Sequence, residues 1–400
     1  MPINPIQPDL TVVIGGGAAG ICAAISKARQ GGRVVICEKT AQIGKKILAS
    51  GNGRCNLLND DLTEGHYNGS ARSLVGSVFS RYGKADLLRF FEGLGLITYS
   101  QSGRIFPATN QAASVLKVLE LELRRLSIPV EYGFNCSSIS FSNNGITVAS
   151  QEGKMIDCVN VILTGGGKSY PALGSDGSCY AIAQQLGHTV VPPVPSAVPL
   201  VVKDSLCHLL QGQRISAVVK SLISGTPGQE IKGELLFTKY GLSGTGILDV
   251  SEEVSLALNR YAETDVFISA DIVPFMTSPQ LRHELERRKR SGFPPSDILA
   301  GILPNKFGPA IKGLLESNNF DAVVQGLKGR QFRVYGTRGW NEAEFTAGGV
   351  AVSEVIPETL ESRLHKGLYF AGEVLDVNGG RGGYNLAWAW ASGLLAGRTE

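Results

Sequence analysis

Three glycines spaced Gly15-x-Gly17-x-x-Gly20, followed by an acid at Glu38, are the residues best suited to chemistry on a nucleotide. Gly15 permits a tight turn off a strand, Gly17 lets backbone amides approach a pyrophosphate, and Gly20 lets the next helix pack close on a sheet. That helix turns its unpaired N–H groups and positive dipole end to the phosphates. A carboxylate at Glu38 accepts hydrogen bonds from both hydroxyls of an adenosine ribose and repels a 2′-phosphate, which favours FAD or NAD over NADP. The elements that must hold these groups are legible around them. Residues 11–14 form an apolar strand, an Ala-rich helix follows, Gly31 and Gly32 end it, and residues 34–36 form a second apolar strand. Together they predict one complete βαβ unit.

Further along, residues 43–56 (IGKKILASGNGRCN) make a Gly-, Lys- and Arg-rich loop of the kind that meets a ligand on such a scaffold. Amphipathic helices are expected over 74–94 and 112–126, the second with Val115, Leu116, Leu119 and Leu123 on one face. Residues 130–148 alternate like two or three short strands turned at Asn143-Asn144-Gly145. Residues 157–163 read as a β-branched strand that runs into Thr164-Gly165-Gly166-Gly167. Pro171 and the lack of a helix directly after those glycines argue against a second dinucleotide site. Prolines at 192, 193, 195 and 199 mark a boundary. Beyond it, residues 196–335 read as an inserted domain, β-rich over about 196–275 and helical over about 276–330. The chain then returns to its first style, with a strand at 368–371, Gly372-Glu373, the loop Asn378-Gly379-Gly380-Arg381-Gly382-Gly383 and a helix over 384–396. A helix N-terminus preceded by glycines again suits an anion or a polar ring edge.

Composition narrows the class. With 43% hydrophobic and 18% charged residues in 400, the chain reads as a soluble protein of two or three domains. Fifty glycines form no period and cluster after apolar strands. A net charge of +3 with dispersed cations gives no nucleic-acid footprint, and the cluster Arg287-Arg288-Lys289-Arg290 reads as a solvated helix end. Seven scattered cysteines, none spaced CxxC, indicate no disulfide framework and a reducing cytoplasm, and five scattered histidines give no metal motif. The first ten residues carry three prolines and no cation, unlike a signal peptide, and no apolar run reaches the roughly 18 residues of a membrane span.

Four segments together, GGGAAG with Glu38, GKKILASGNGRCN, TGGGKSYPALGSDG and LYFAGEVLDVNGGRGGYNLAWAWASG, resemble the aminoacetone oxidase-like FAD flavoproteins, an oxidoreductase family that includes bile-acid dehydro-reductases. The resemblance runs over nearly the whole chain and is weakest over 205–327, where only residues 233–251 carry it. It implies an α/β fold: a Rossmann-like, glutathione-reductase-like FAD domain made of residues 1–195 and 336–400, interrupted by the insert at 196–335. Gly15, Gly17, Ala18, Ala19 and Gly20 would hold the pyrophosphate and Glu38 the ribose, with Lys39 beside it. The backbone near Cys136 would meet the adenine, and Thr164, Gly165 and Gly166 would join the cofactor's surroundings. Lys45, Ser50, Gly51, Arg54, Cys55 and Asn56 would pass the flavin ring or its phosphates. Gly372, Glu373, Gly383, Tyr384, Asn385 and Leu386 would lie along the ribityl chain and pyrimidine edge, where helix amides stabilise negative charge on a reduced flavin.

The expected activity is hydride transfer between flavin N5 and a small organic substrate, with NAD(P)H a candidate transient reductant and no nucleic acid or membrane partner. No residue declares itself catalytic, because flavin chemistry resides in the cofactor. The insert is expected to supply the substrate-side wall, with residues 233–251, where Lys239, Tyr240 and Ser243 sit in a Gly-punctuated turn, the part nearest the flavin. Two other enzyme readings share the N-terminal unit. An NAD-dependent dehydrogenase would need a nicotinamide-side domain, which is not found, and a flavin-dependent RNA-modifying protein would need a basic, aromatic-studded surface.

Overall fold

The computed structural model describes residues 9–143, 145–317 and 319–398. Asn144, the middle of the turn expected at 143–145, lies outside the described residues, as do the first eight. The chain divides into two compact units, Met1–Pro193 with Phe345–Glu400, and Val194–Glu344. The second unit thus begins near the expected boundary but ends beyond residue 335. The strand Arg330–Thr337 explains this: it pairs with Val266–Asp271 and Leu200–Val202 inside that unit.

The first unit is built on five parallel strands in the order Leu368–Phe370, Asn160–Leu163, β1 (Leu10–Ile14), β2 (Arg33–Glu38) and Val130–Tyr132. The strands are Val- and Ile-rich because a parallel sheet is covered on both faces. Val12, Val13, Ile36, Val161, Ile162, Leu163, Leu368 and Phe370 are all fully buried. Helix α1 (Ala18–Arg29) connects β1 to β2, and its alanines let the C-terminal helix Tyr384–Ala396 approach closely. A Cβ on Gly393 would stand 2.3 Å from the Ala19 carbonyl oxygen, and one on Gly397 2.3 Å from that of Ala23.

Two expectations in this unit need correction. The single helix over 74–94 is two helices, Arg72–Arg81 and Lys84–Gly93, because Gly83 starts the second and donates its N–H to Asp86 (3.2 Å). The alternation over 130–148 does give three short strands, and they serve two sheets. Val130–Tyr132 joins the parallel sheet, while Cys136–Ser142, Gly145–Ser150 and Met155–Cys158 make a separate antiparallel sheet. The strand over 157–163 accordingly breaks at Val159, whose N–H is drawn to Leu10 O (3.0 Å), and its two parts serve different sheets.

In the second unit six antiparallel strands pair in a closed ring. They run Arg214–Ile223, Ile231–Thr238, Gly241–Ser243, Leu200–Val202, Arg330–Thr337 and Val266–Asp271, which pairs back to the first. A tight turn at Lys239 and Tyr240 joins two strands, and then Thr245–Asn259 forms a helix within the part expected to be β-rich. That helix seats against Gly233, where a Cβ would stand 2.5 Å from Gly246 N. Its apolar positions Ile247, Val250, Val254 and Ala257 recur at helical spacing and are buried, but Gly244 and Gly246 give the segment the look of a turn. The helix Ser278–Arg290 carries the basic cluster, capped at Thr277. Among the described residues no helix is long and apolar enough to cross a membrane.

Candidate cofactor site

The glycine loop sits where β1 ends. Gly15 turns at φ +104°, and a Cβ there would stand 2.8 Å from Thr164 O. A Cβ at Gly20 would fall 1.9 Å from Gly15 O, whereas at Gly17 nothing lies within 4 Å. Gly17 therefore keeps open the space beside the start of α1. The first helical bond runs from Ile21 N to Gly17 O (3.0 Å), so the amides of Ala18, Ala19 and Gly20 have no acceptor inside the helix. Thr164 braces this turn, its hydroxyl donating to Ile14 O (2.8 Å) and Gly15 O (2.9 Å).

Glu38 is buried at the end of β2, where its two oxygens accept Gly16 N and Thr40 N, both at 2.8 Å. Each carboxylate oxygen keeps acceptor capacity for a ribose hydroxyl. Lys39, expected beside that ribose, is drawn instead to Asp176 (2.7 Å) in the GSDG loop. Gly165 and Gly166 are crowded from the same side: a Cβ on Gly165 would meet Cys179 Sγ at 2.2 Å, and one on Gly166 would meet Ser175 Oγ at 2.8 Å. Cys136 opens the antiparallel sheet with a buried side chain. Burial and then Cys179 push its thiol up to about 12, which leaves it no thiolate chemistry near neutral pH.

The second anchor comes from the chain's return. Gly372 turns at φ +77° against Ala19, and Glu373 follows it into a buried network. Its Oε1 accepts Thr346 N (2.8 Å) and the Ser169 hydroxyl (3.2 Å), and its Oε2 accepts Lys46 Nζ (2.7 Å) and Gly167 N (3.4 Å). Burial opposes ionisation of this carboxyl, but Lys46 and the donated hydrogen bonds outweigh it and hold Glu373 below the ordinary carboxylate range. Four donors already fill the carboxylate, so Glu373 acts as a clasp between segments rather than as a ready ligand. Lys46, not Lys45, supplies the cation. Lys46 and Ser169 lie within two of the motif segments and Thr346 in none, and their partnership with Glu373 joins segments far apart in sequence.

The loop at 50–56 is held in left-handed backbone at Gly51, Asn52, Gly53 and Cys55. Ser50 Oγ donates back to Ile47 O (2.7 Å). Arg54 lies over the Phe106 ring at 4.2 Å and donates to Tyr99 OH, Gln101 and Asn110, a brace rather than a free cation. Burial pushes the Cys55 thiol up to about 12, so it is inert. Gly383, at φ +99°, starts the C-terminal helix in a cradle where a Cβ would meet Leu58 C at 2.7 Å and Asn56 Oδ1 at 2.9 Å. Asn385 closes the preceding loop through Gly379 N (2.9 Å) and Gly379 O (2.8 Å). Tyr384 is held by Tyr67, whose hydroxyl donates to its carbonyl (2.7 Å), and Leu386 is half-buried.

Two buried polar atoms in these segments have no hydrogen-bond partner, Asn56 Oδ1 next to Gly383 and Ser175 Oγ next to Gly166. Buried polar groups are almost always paired, so these atoms fit a ligand with its own donors and acceptors. FAD has them, with an imide N–H on its ring and hydroxyls on its chain, and its phosphates suit the open face of Gly17. The family model described as "HI0933-like protein Rossmann domain" matches residues 9–399. The chain belongs to the HI0933-like family. Like its family, it is an FAD-dependent oxidoreductase. It is similar to a 3-dehydro-bile acid delta(4,6)-reductase of Clostridium scindens, with 39% identity over 97% of this chain and 98% of that one. It is also similar to a ribosomal RNA dihydrouridine synthase of Haemophilus influenzae, with 30% identity over 96% and 97%. Among solved structures, a 3-ketosteroid delta1-dehydrogenase from Sterolibacterium denitrificans covers 97% of this chain and 99% of its own length at 12% identity and a TM-score of 0.50, a likeness of fold alone.

Proposed function

We propose that this flavoprotein reduces a carbon–carbon double bond conjugated to a ketone on a steroid-like substrate, taking its electrons from NAD(P)H. The observation that carries the reading is the 39% identity, over 97% of the chain, to a 3-dehydro-bile acid delta(4,6)-reductase. Bound FAD supplies two-electron chemistry, with hydride passing at its N5. The chain's own part is positional: the first amides of α1 meet the pyrophosphate, Glu38 the ribose, and the amides at Tyr384 and Asn385 oppose negative charge on the pyrimidine edge. Asn56 Oδ1 suits the ring imide N–H. Seven buried, unpaired thiols accord with a reducing cytoplasm.

The second reading is reduction of uridine in RNA, favoured by the 30% identity to a ribosomal RNA dihydrouridine synthase. The uracil double bond is also conjugated to a carbonyl, so the two readings share a reaction class. Against RNA, part of the basic cluster is engaged at home, Arg287 and Arg288 sharing Glu284. The test mixes NAD(P)H-reduced holoprotein, in the absence of oxygen, with a 4,6-dien-3-one bile acid or with ribosomal RNA fragments. Flavin re-oxidation and loss of the dienone absorbance are expected with the bile acid. Re-oxidation by RNA alone would select the second reading, and none by either would reject both.

A further inference from the structure

At the N-terminus of the C-terminal helix lies a group of ionisable side chains that cofactor binding leaves unused. His66 ends the short turn Glu64–His66. Its Nε2 lies 2.7 Å from Asp61 Oδ2, and its ring stacks on Tyr384 with centroids 4.4 Å apart and planes 22° apart. Its carbonyl accepts the Gly380 N–H (3.1 Å). The histidine is thus tied by ring and by backbone to the loop and first residue of the helix whose amides are placed to meet the flavin. Its side chain is 35% exposed, and its Nδ1 makes no hydrogen bond among the described residues. Burial, then Asp61, hold the Tyr384 phenol above its ordinary value, so that neighbour stays protonated and is not a competing base.

We propose that His66, oriented by Asp61, is the general acid that protonates the substrate. The inference rests on the conjugated-ketone reading above. With Nε2–H donated to Asp61, a proton on Nδ1 exists only in the imidazolium, and that is the proton given up. The substrate's double bond receives a hydride at the carbon remote from the carbonyl and the His66 proton at the carbon beside it. One π bond breaks and two C–H bonds form. The reduced FAD is oxidised, to be reduced again by NAD(P)H, and neutral His66 recovers a proton from water. An imidazole fixed by a carboxylate, with its other nitrogen free, is the arrangement this step needs.

The experiment compares wild-type holoprotein with His66→Gln, which keeps a donor toward Asp61 but cannot titrate. Asp61 and Tyr384 contact the ring, Glu64 shares its turn, Arg72 holds the carbonyls of Gly65 and Tyr67 on either side, and Arg104 acts on Tyr384; all are the same in both, so a difference isolates the imidazole. First, the absorbance of the oxidised flavin is followed between about pH 5 and 8. It is expected to titrate in wild type and to stay flat in the variant. Second, FAD content and the rate of flavin reduction by NAD(P)H are expected to match. Re-oxidation by the dienone should be slower in the variant, on the order of 10²-fold or more, without the wild-type decline as pH rises. If His66→Gln sheds FAD, Asp61→Asn keeps the imidazole and should show a smaller loss of the same step. A wild-type flavin blind to His66, or a variant that re-oxidises at the wild-type rate and pH dependence, overturns the assignment. Should the flavin sense His66 while no conjugated ketone is reduced, it is the conjugated-ketone reading that fails, and the imidazole's place at the ring stands.

Discussion

Glu38 ties cofactor binding to the order of the glycine loop. Its carboxylate is shared between the Gly16 and Thr40 amides and the site of the ribose hydroxyls, so Glu38→Ala removes the ligand and loosens the loop at once. Hydrogen bonds to a charged group contribute about 1.5–3 kcal/mol each, which predicts FAD binding weakened by roughly 10- to 100-fold for each bond lost. Flavin fluorescence during dialysis reads the loss, and a variant that keeps its FAD would remove Glu38 from the site. Glu373 behaves differently because its four donors are all protein groups. Glu373→Gln breaks the ion pair with Lys46 inside a partly buried network, so it should lower unfolding stability by about 1–3 kcal/mol. Loss of FAD should be the smaller effect. Denaturant melts of both variants beside their FAD content would show whether this order is reversed.

At the scale of elements, the glycine turn makes two opposite forecasts. Gly17→Ala meets no protein atom within 4 Å, so the fold should survive while the methyl intrudes on the space proposed for the pyrophosphate. That variant should be folded and colourless. Gly20→Ala places its methyl 1.9 Å from Gly15 O and must push α1 away from β1, at a cost of about 3 kcal/mol or more. Circular dichroism and flavin content together decide: a yellow Gly17→Ala would deny the pyrophosphate its place there. The outer face of α1 offers a pH forecast. Glu122, on the helix Ala112–Arg125, holds Arg29 of α1 (2.8 Å) and Arg125 (2.7 Å), and these partners hold its carboxyl down at about 2 against burial. Because the folded value is depressed, the stabilisation is full above the ordinary carboxylate value and fades as pH falls toward 2. Glu122→Gln should therefore cost about 1 kcal/mol at neutral pH and leave acid unfolding less steep over that window. Equal acid limbs for the two proteins would contradict the clamp.

At the scale of the molecule, each unit has its own buried core, one of the Rossmann strands and helices and one of the closed antiparallel ring. The residues proposed to hold FAD all lie in the first unit, so the stabilisation it adds is expected there. Excess FAD at about 100-fold over its dissociation constant adds about 2.7 kcal/mol, or roughly 5–10 °C in the melting of a unit this size. Calorimetry of holo- and apoprotein should show one transition moving by that amount and another staying in place. A single transition that shifts as a whole would mean the two cores do not melt independently.

Much of this was legible in the order of residues because local rules write it there. The βαβ unit, the glycines, Glu38 and the C-terminal helix each follow from apolar periodicity, turn chemistry and a fixed spacing, all of which act within some thirty residues. The insert announced itself through its prolines and its lack of glycine-rich loops. What sequence could not reveal is which distant groups meet. Lys46 rather than its neighbour Lys45 reaches Glu373, Lys39 turns to Asp176, and Arg54 is consumed by Tyr99, Gln101 and Asn110. The break at Val159 and the helix Thr245–Asn259 were likewise settled by which sheet each segment pairs with or covers. His66 carried no signal at all until folding brought it against Tyr384, a residue 318 positions away (384 − 66). Propensity and periodicity are short-ranged, whereas the partner of a charge or an aromatic ring is chosen by packing, and only the tertiary structure makes that choice.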